Sequence, residues 1–374
     1  MDPKVFFYPH AYLRDRHLDT IRRWPADRVV NPEIVAKRRG EQVSREKALS
    51  ARPSTSWIQR VPLLNVKRRP KSAPDEVPVY VWGGLLLTGP FIVDVDNPYA
   101  FTGYNLRALP LYRNVIRAIL RSDRCREIRC MSEACRLGLR KLFGEEVYQK
   151  AVVHYPYMPA RDAIVPAATS GPVRFVYIST QFEIKGGAAL LKAFHAAYAQ
   201  EPNFHLDMIT HLPPEFEEAV RSPGLTVHPA NFSREQIAEQ FFSKCDVLIH
   251  PTYVESFGLV VLEALSFGLA VIGTDVYAIN EMVETGFNGS LLPAPISVWD
   301  GVLPSRHFYD YDNIKQHIHE TDTTALQAKL TASILEIVRD RERLRRYRLN
   351  SLERFRSRFA PRADDASIPI GAER

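Results

Sequence analysis

The chain has 374 residues, 45% of them apolar and 25% charged, with a formal net charge of +6. That length suggests two domains, and the composition is that of a globular chain, neither disordered nor fibrous. The longest uncharged stretch, 77–93, is broken by Pro78, Gly83, Gly84, Gly89 and Pro90, so two short buried strands explain it and a membrane span does not.

Four cysteines show no C-x-x-C spacing and no paired histidines, so neither a zinc site nor a disulfide framework is indicated and reduced thiols are expected. Charge is uneven: residues 1–160 hold 28 Lys and Arg against 16 Asp and Glu, net +12, and residues 161–374 hold 21 against 27, net −6. The clusters Lys37-Arg38-Arg39 and Lys67-Arg68-Arg69, with Lys71 beyond, could contact anionic lipid headgroups, a phosphorylated or lipid-linked acceptor, or nucleic acid, and a solvated surface accounts for them as readily. The N-terminal residues lack the apolar stretch of a signal peptide, so a cytoplasmic chain, peripheral at the membrane through its basic half, is expected.

In chain order, residues 5–8 form a short strand that delivers His10 into a loop, where ligands reach in open α/β sheets. Residues 24–74 are poorly periodic, with a helix expected near 32–48. Strands at 79–82 and 91–95 follow, and the second ends in a dense polar run that includes Asp94, Asp96 and Asn97; turn chemistry before Pro98 accounts for these residues as readily as a site does. Next come a helix near 111–121, a strand near 127–131, a helix from Ser132 as N-cap to Phe143 closed by Gly144, and a strand at 152–155. Residues 161–172, rich in Ala, Pro and small polar residues, read as a linker between a first domain of 1–160 and a second of 173–340.

The second domain opens with a buried strand at 173–178, the loop Ser179 to Gly187 and a helix at 188–198. Strands at 206–210, 225–228 and 247–250 alternate with helices near 214–220 and 234–243, the signature of a parallel, doubly wound α/β sheet. The stretch from His250 to Pro293 then reads as strand end, loop, helix and strand. Ser256 is the expected N-cap of a helix running to Phe267, entered through Phe257 and Gly258 and closed by Gly268. Unpaired amides at that N-terminus, with no side chain at Gly258, form a place for a diphosphate. Glu255 and Glu263 lie eight residues apart, roughly on one side of the helix, and two carboxylates there can accept hydrogen bonds from sugar hydroxyls. Residues 299–319 look irregular; helices follow at 323–338 and 341–358, and the tail beyond 361 is expected to be disordered.

The frame Pro251, Glu255, Phe257, Gly258, Glu263, Ala264 and Gly268 resembles the retaining GT-B glycosyltransferases of family 4, whose signature is E-x7-E within P-x(4)-E-x-F-G-x(4)-E-A-x(3)-G. The Glu pair alone is weak; the whole frame is specific. The resemblance implies two Rossmann-like domains facing across a cleft, the last helix, about 341–360, joining the first, and a UDP- or GDP-linked sugar as donor. It implies Glu255 at the sugar ring, Glu263 at the ribose, and Lys185 with Gly186 and the amides of Ser256, Phe257, Gly258 and Leu259 at the diphosphate. Lys185-Gly186-Gly187 matches the family's K-G segment, but Thr180 stands where that segment carries an Arg. His10, Asp94, Asp96 and Asn97 become candidate acceptor or sugar contacts, and the mechanism implied uses no cofactor and no metal. Two other classes stay open: a nucleotide-sugar epimerase of the same architecture, and a nonenzymatic nucleic-acid-binding protein, disfavoured because it leaves the E-x7-E frame unexplained.

Overall fold

A computed structural model describes residues 4–9, 13–36, 61–158, 171–305, 307–308 and 311–360. The chain divides into two units: one takes Met1–Tyr157 and Gly301–Asp310, the other Met158–Asp300 and Tyr311–Ala360. His10, the cluster at 37–39, most of the expected linker and the tail beyond 360 lie outside the described residues.

The strands of the first unit are β1 (Phe6–Phe7), β2 (Val66–Lys67), β3 (Val79–Trp82), β4 (Leu85–Leu86), β5 (Phe91–Val95), β6 (Cys125–Cys130) and β7 (Ala151–Val153). Five of them make one parallel sheet in the order β1-β3-β5-β6-β7, while β2 pairs with β4 in a separate ribbon. The runs V-Y-V-W and F-I-V-D-V are buried throughout, as strands covered on both faces must be. One cover is α1 (Asp15–Arg23), whose sequence D-R-H-L-D-T-I-R-R has no continuous apolar stripe and was not expected as a helix. It is held by paired polar groups: the His17 ring stacks on Trp82, and Arg16 reaches Asp94 at 3.3 Å. Beside it the Arg129 guanidinium lies 4.4 Å over the Trp24 ring and pairs with Glu127. Helices α2 (Ala108–Arg121) and α3 (Glu133–Phe143) fall where periodicity puts them, and the Ser132 hydroxyl caps α3 by accepting from the Cys135 amide at 3.0 Å.

The second unit holds β8 (Val173–Ser179), β9 (Phe204–Thr210), β10 (Leu225–His228), β11 (Val247–His250), β12 (Ala270–Thr274) and β13 (Gly289–Leu292). Their order is β10-β9-β8-β11-β12-β13 and every pairing is parallel. The chain therefore steps outward from β8 in one direction and then from β11 in the other, and the crevice at their carboxyl ends is the place where open α/β sheets bind ligands. Its helices include α4 (Gly187–Tyr198), α5 (Leu259–Ser266), α6 (Thr324–Arg339) and α7 (Arg341–Arg354). Phe175, Tyr177, Phe194, Leu206, Met208 and Leu330 lie in one core, each such side chain contributing about 1.5–3 kcal/mol by leaving water.

Three expectations change. The terminal helix expected to join the first domain belongs to the second unit, because Leu344 and Tyr347 of α7 are buried in that unit's core and the Arg348 Nε donates to the Gly268 carbonyl at 3.0 Å. The stretch expected to be irregular contains a helix, Tyr311–Glu320, tied to the loop after β8 by Lys315 and Glu183 at 3.0 Å. The helix expected near 234–243 is a short α segment, Arg234–Ile237, that continues as a π-turn over Ala238–Phe242.

Candidate active site

The loop after β8 turns on itself: the Lys185 amide donates to Gln181 and the Gly187 amide to the Phe182 carbonyl. Gly186 sits at φ 72°, and a Cβ there would come within 2.1 Å of the Pro251 carbonyl oxygen, so only glycine lets this loop lie against the loop after β11. The Tyr253 amide, donating to the Ile184 carbonyl at 3.0 Å, ties the two loops together. The result is a contact between residues seventy positions apart: Lys185 Nζ lies 2.9 Å from Glu255 Oε2 and also donates to the Val254 carbonyl.

Glu255 is held from several directions. Its Oε1 accepts from the Ser256 amide at 3.0 Å, and its Oε2 also takes the His250 Nε2–H at 3.1 Å. Its main-chain carbonyl accepts from Trp299 Nε1 at 2.9 Å. Burial alone would push the Glu255 carboxyl up, but Lys185 and then His250 outweigh it and hold the group well below the usual carboxylate range. Burial pushes the His250 ring below its ordinary 6.5, more than Glu255 pulls it up. The imidazole is therefore neutral at pH 7, with Nε2 as its donor, and its Nδ1 is buried with no partner among the described residues. Trp299 stacks on Tyr277 with ring centroids 3.9 Å apart, and Tyr277 has a backbone φ of 53°, a conformation few non-glycine residues adopt.

The helix that follows starts later than expected. Gly258, at φ 90°, is the N-cap of α5 in place of Ser256, whose amide instead serves Glu255. A Cβ on Gly258 would meet Ile279 Cδ1 at 2.5 Å, so the same missing side chain permits the turn and the packing behind it. The first two amides of α5, those of Leu259 and Val260, have no carbonyl within the helix to reach, whereas the Val261 and Leu262 amides donate to the Gly258 carbonyl. Glu263, in the second turn, is paired with Arg234 Nε at 2.6 Å. Thr180, directly after β8, is exposed. The crevice at the β8/β11 junction thus gathers Lys185, Gly186, Glu255, Ser256, Phe257, Gly258 and Leu259, with Glu263 on the adjoining helix.

The acceptor candidates of the first unit are engaged internally. Asp94 accepts from the Tyr80 hydroxyl at 2.7 Å and from Arg16. Asp96 accepts from Tyr104 at 2.9 Å, and the Asn97 side chain caps the turn Pro98–Thr102 by accepting from the Tyr99 amide. Of the described basic cluster, Lys67 donates to the Trp82 carbonyl and lies 5.0 Å over the Tyr8 ring, and burial lowers its pKa to about 8. Arg69 is spent on the carbonyls of Pro74, Val77 and Pro90. Sequence reading missed His250, Arg234 and Trp299. The absent Arg at Thr180 was a reason to look for a cation elsewhere; Trp299 carried no local signal beyond being the last tryptophan of the chain.

Two units, each built on a parallel α/β sheet, are the architecture of the GT-B fold. The Anabaena protein HepE, crystallised with UDP and glucose, shares it with a TM-score of 0.57 over 96% of both chains at 12% identity. Residues 172–301 match the family described as glycosyl transferases group 1. The D-inositol 3-phosphate glycosyltransferase of Paenarthrobacter aurescens (strain TC1) is 30% identical over 115 residues, 31% of this chain and 24% of that protein. The lipopolysaccharide glucosyltransferase WaaG of Escherichia coli (strain K12) is 29% identical over 85 residues, 23% of each. The chain thus spans about a quarter of the length of these relatives. No helix among the described residues is long and apolar enough to cross a membrane.

Proposed function

We propose that this chain transfers a sugar from a UDP- or GDP-linked donor to an acceptor with retention of anomeric configuration. The observation that carries the reading is the Lys185–Glu255 contact at 2.9 Å in the switch-point crevice, beside the open N-terminus of α5. In this reading the donor diphosphate takes the place beside Lys185 and the amides of Gly258 and Leu259. The negative charge that grows on the departing nucleoside diphosphate then meets a fixed cation and fixed dipoles. Glu255, ionised and held by His250, accepts hydrogen bonds from the sugar hydroxyls, and Glu263 those of the ribose. Because Lys185 and the helix amides carry the leaving-group charge, the reaction as written calls for no divalent cation. The family of residues 172–301 and the names of its relatives support a transferase over an epimerase.

The acceptor side rests on the first unit. Between Asp96 and Asp123 the chain holds no acidic residue, and α2 turns Arg113 and Arg117 outward together with Leu111, 68% exposed, and Val115, 47% exposed, while Arg121 at its end pairs with Glu146. Cations flanking exposed apolar side chains fit the surface of an anionic bilayer, where an acceptor with a lipid anchor would be met. The test of the whole reading is a thermal-shift screen of nucleotide sugars, in which a donor at 100 times its dissociation constant stabilises by about 2.7 kcal/mol. The donor so identified is then used in an NMR assay of the product anomer with and without EDTA. An inverted product, or activity abolished by EDTA and restored by Mg²⁺, would overturn the retaining, metal-independent mechanism.

A further inference from the structure

Thr180, which stands where the resembled K-G segment carries an Arg, is exposed and brings no charge to the proposed donor site. With Lys185 as the single cation beside Glu255 and Glu263, the crevice would carry a net negative charge before a dianionic diphosphate arrived. The structure supplies a second cation from a different element. Arg234 is the first residue of the helix Arg234–Ile237, and its Nε lies 2.6 Å from Glu263 Oε1, with the two side chains only 17% and 20% exposed. The backbone that presents it is fixed by a capping box in which the Ser233 hydroxyl accepts from the Gln236 amide and the Gln236 side chain accepts from the Ser233 amide. Its Nη2 packs against Met158 Sδ at 2.7 Å.

We propose that Arg234 is the second donor-binding cation of this protein, standing in for the Arg absent at Thr180. The inference rests on the donor-site reading above. A guanidinium keeps its full positive charge while its N–H groups are engaged, so the contacts with Glu263 and Met158 leave Arg234 a cation beside the donor site. A ribose whose diol reaches Glu263 brings its 5′-phosphates within one sugar ring of Arg234, close enough for a charge interaction in a crevice largely shielded from water. Before the donor binds, Arg234 neutralises Glu263 and holds it in place; once the diol has arrived, the same guanidinium faces the phosphates. A residue that acted only by holding Glu263 would serve nucleoside and nucleoside diphosphate equally.

That difference is measurable. Calorimetry with UDP and GDP, and competition with uridine and guanosine, are run on the wild type, Arg234→Met and Arg234→Lys, with thermal melts to confirm that each variant is folded. The proposal expects Arg234→Met to weaken the bound diphosphate at least 20-fold and the matching nucleoside less than threefold, with Arg234→Lys recovering most of the difference. It also expects UDP or GDP affinity to depend less on salt in the Met variant, as one charge interaction is gone. Equal losses for nucleoside and diphosphate would reduce Arg234 to a support for Glu263 and overturn the proposal, as would unchanged affinity for both. A folded wild type that binds neither UDP nor GDP would instead overturn the donor-site reading, and this inference with it.

Discussion

Replacing Lys185 by Met isolates the interaction on which the site is built. The substitution keeps the apolar stem and removes the ammonium, leaving Glu255, whose side chain is 17% exposed, with His250 as its remaining charged or polar side-chain partner among the contacts described. Breaking a buried ion pair from one side costs about 3–5 kcal/mol. A pair that keeps some solvent, and a carboxylate that keeps the His250 and Ser256 hydrogen bonds, belongs at the lower end, about 3 kcal/mol. At about 2–4 °C per kcal/mol for a unit of this size, the second unit should melt about 6–12 °C lower. Glu255→Gln added to Lys185→Met should restore much of that loss, because no unpaired charge is then left in the crevice. Differential scanning calorimetry of the two single variants and the double variant gives the coupling directly. A melting point for Lys185→Met within about 1 °C of the wild type, or a double variant no better than the single, would refute the view that this pair organises the crevice.

Other outcomes follow from individual contacts. Glu263→Ala should weaken binding of the donor nucleotide by about 1–3 kcal/mol, read by calorimetry, and unchanged affinity would remove its ribose role. Trp299→Phe keeps the stack on Tyr277 but removes the N–H that holds the Glu255 carbonyl. It should lower turnover about fivefold, about 1 kcal/mol, while donor KM changes little; a drop in KM-dependent binding alone would contradict this. Gly258→Ala, strained at φ 90° and pressed on Ile279, should destabilise by about 2 kcal/mol, visible in urea denaturation. For pH, the folded His250 has its pKa lowered, so just below 6.5 the unfolded chain binds more protons than the folded one. Stability should therefore fall as pH drops below 6.5, and His250→Gln should flatten that slope in denaturation curves at pH 7.5 and 5.5.

Much of the second unit was legible because its strands are short β-branched runs buried on both faces, as in V-L-I-H and A-V-I-G-T. The E-x7-E frame could be read because its residues sit within one loop and one helix. The Lys185–Glu255 contact could not be read from spacing, since it depends on Gly186 letting two loops approach and on β8 and β11 being neighbours. The N-cap was misplaced by two residues because Ser256 has the side chain of a cap while Gly258 has the backbone of one. In the first unit α1 escaped notice because it buries His17 and Asp19 among rings and charges, and a hydrophobic period does not register such a face. The dense polar run after β5 reads like a site, yet Asp94 and Asn97 satisfy Tyr80, Arg16 and a turn. Local chemistry cannot separate these two uses of the same side chains.

The central claim is that a nucleoside diphosphate sits between the loop after β8 and the start of α5. Hydrogen exchange followed by mass spectrometry, with and without saturating UDP or GDP, tests it most directly, because the amides proposed to hold the phosphates are themselves the reporters. Protection should concentrate in peptides spanning 181–190 and 254–264, and should disappear in Lys185→Met at the same nucleotide concentration. Protection confined to the first unit, or protection of the second unit that survives loss of Lys185 unchanged, would contradict the account.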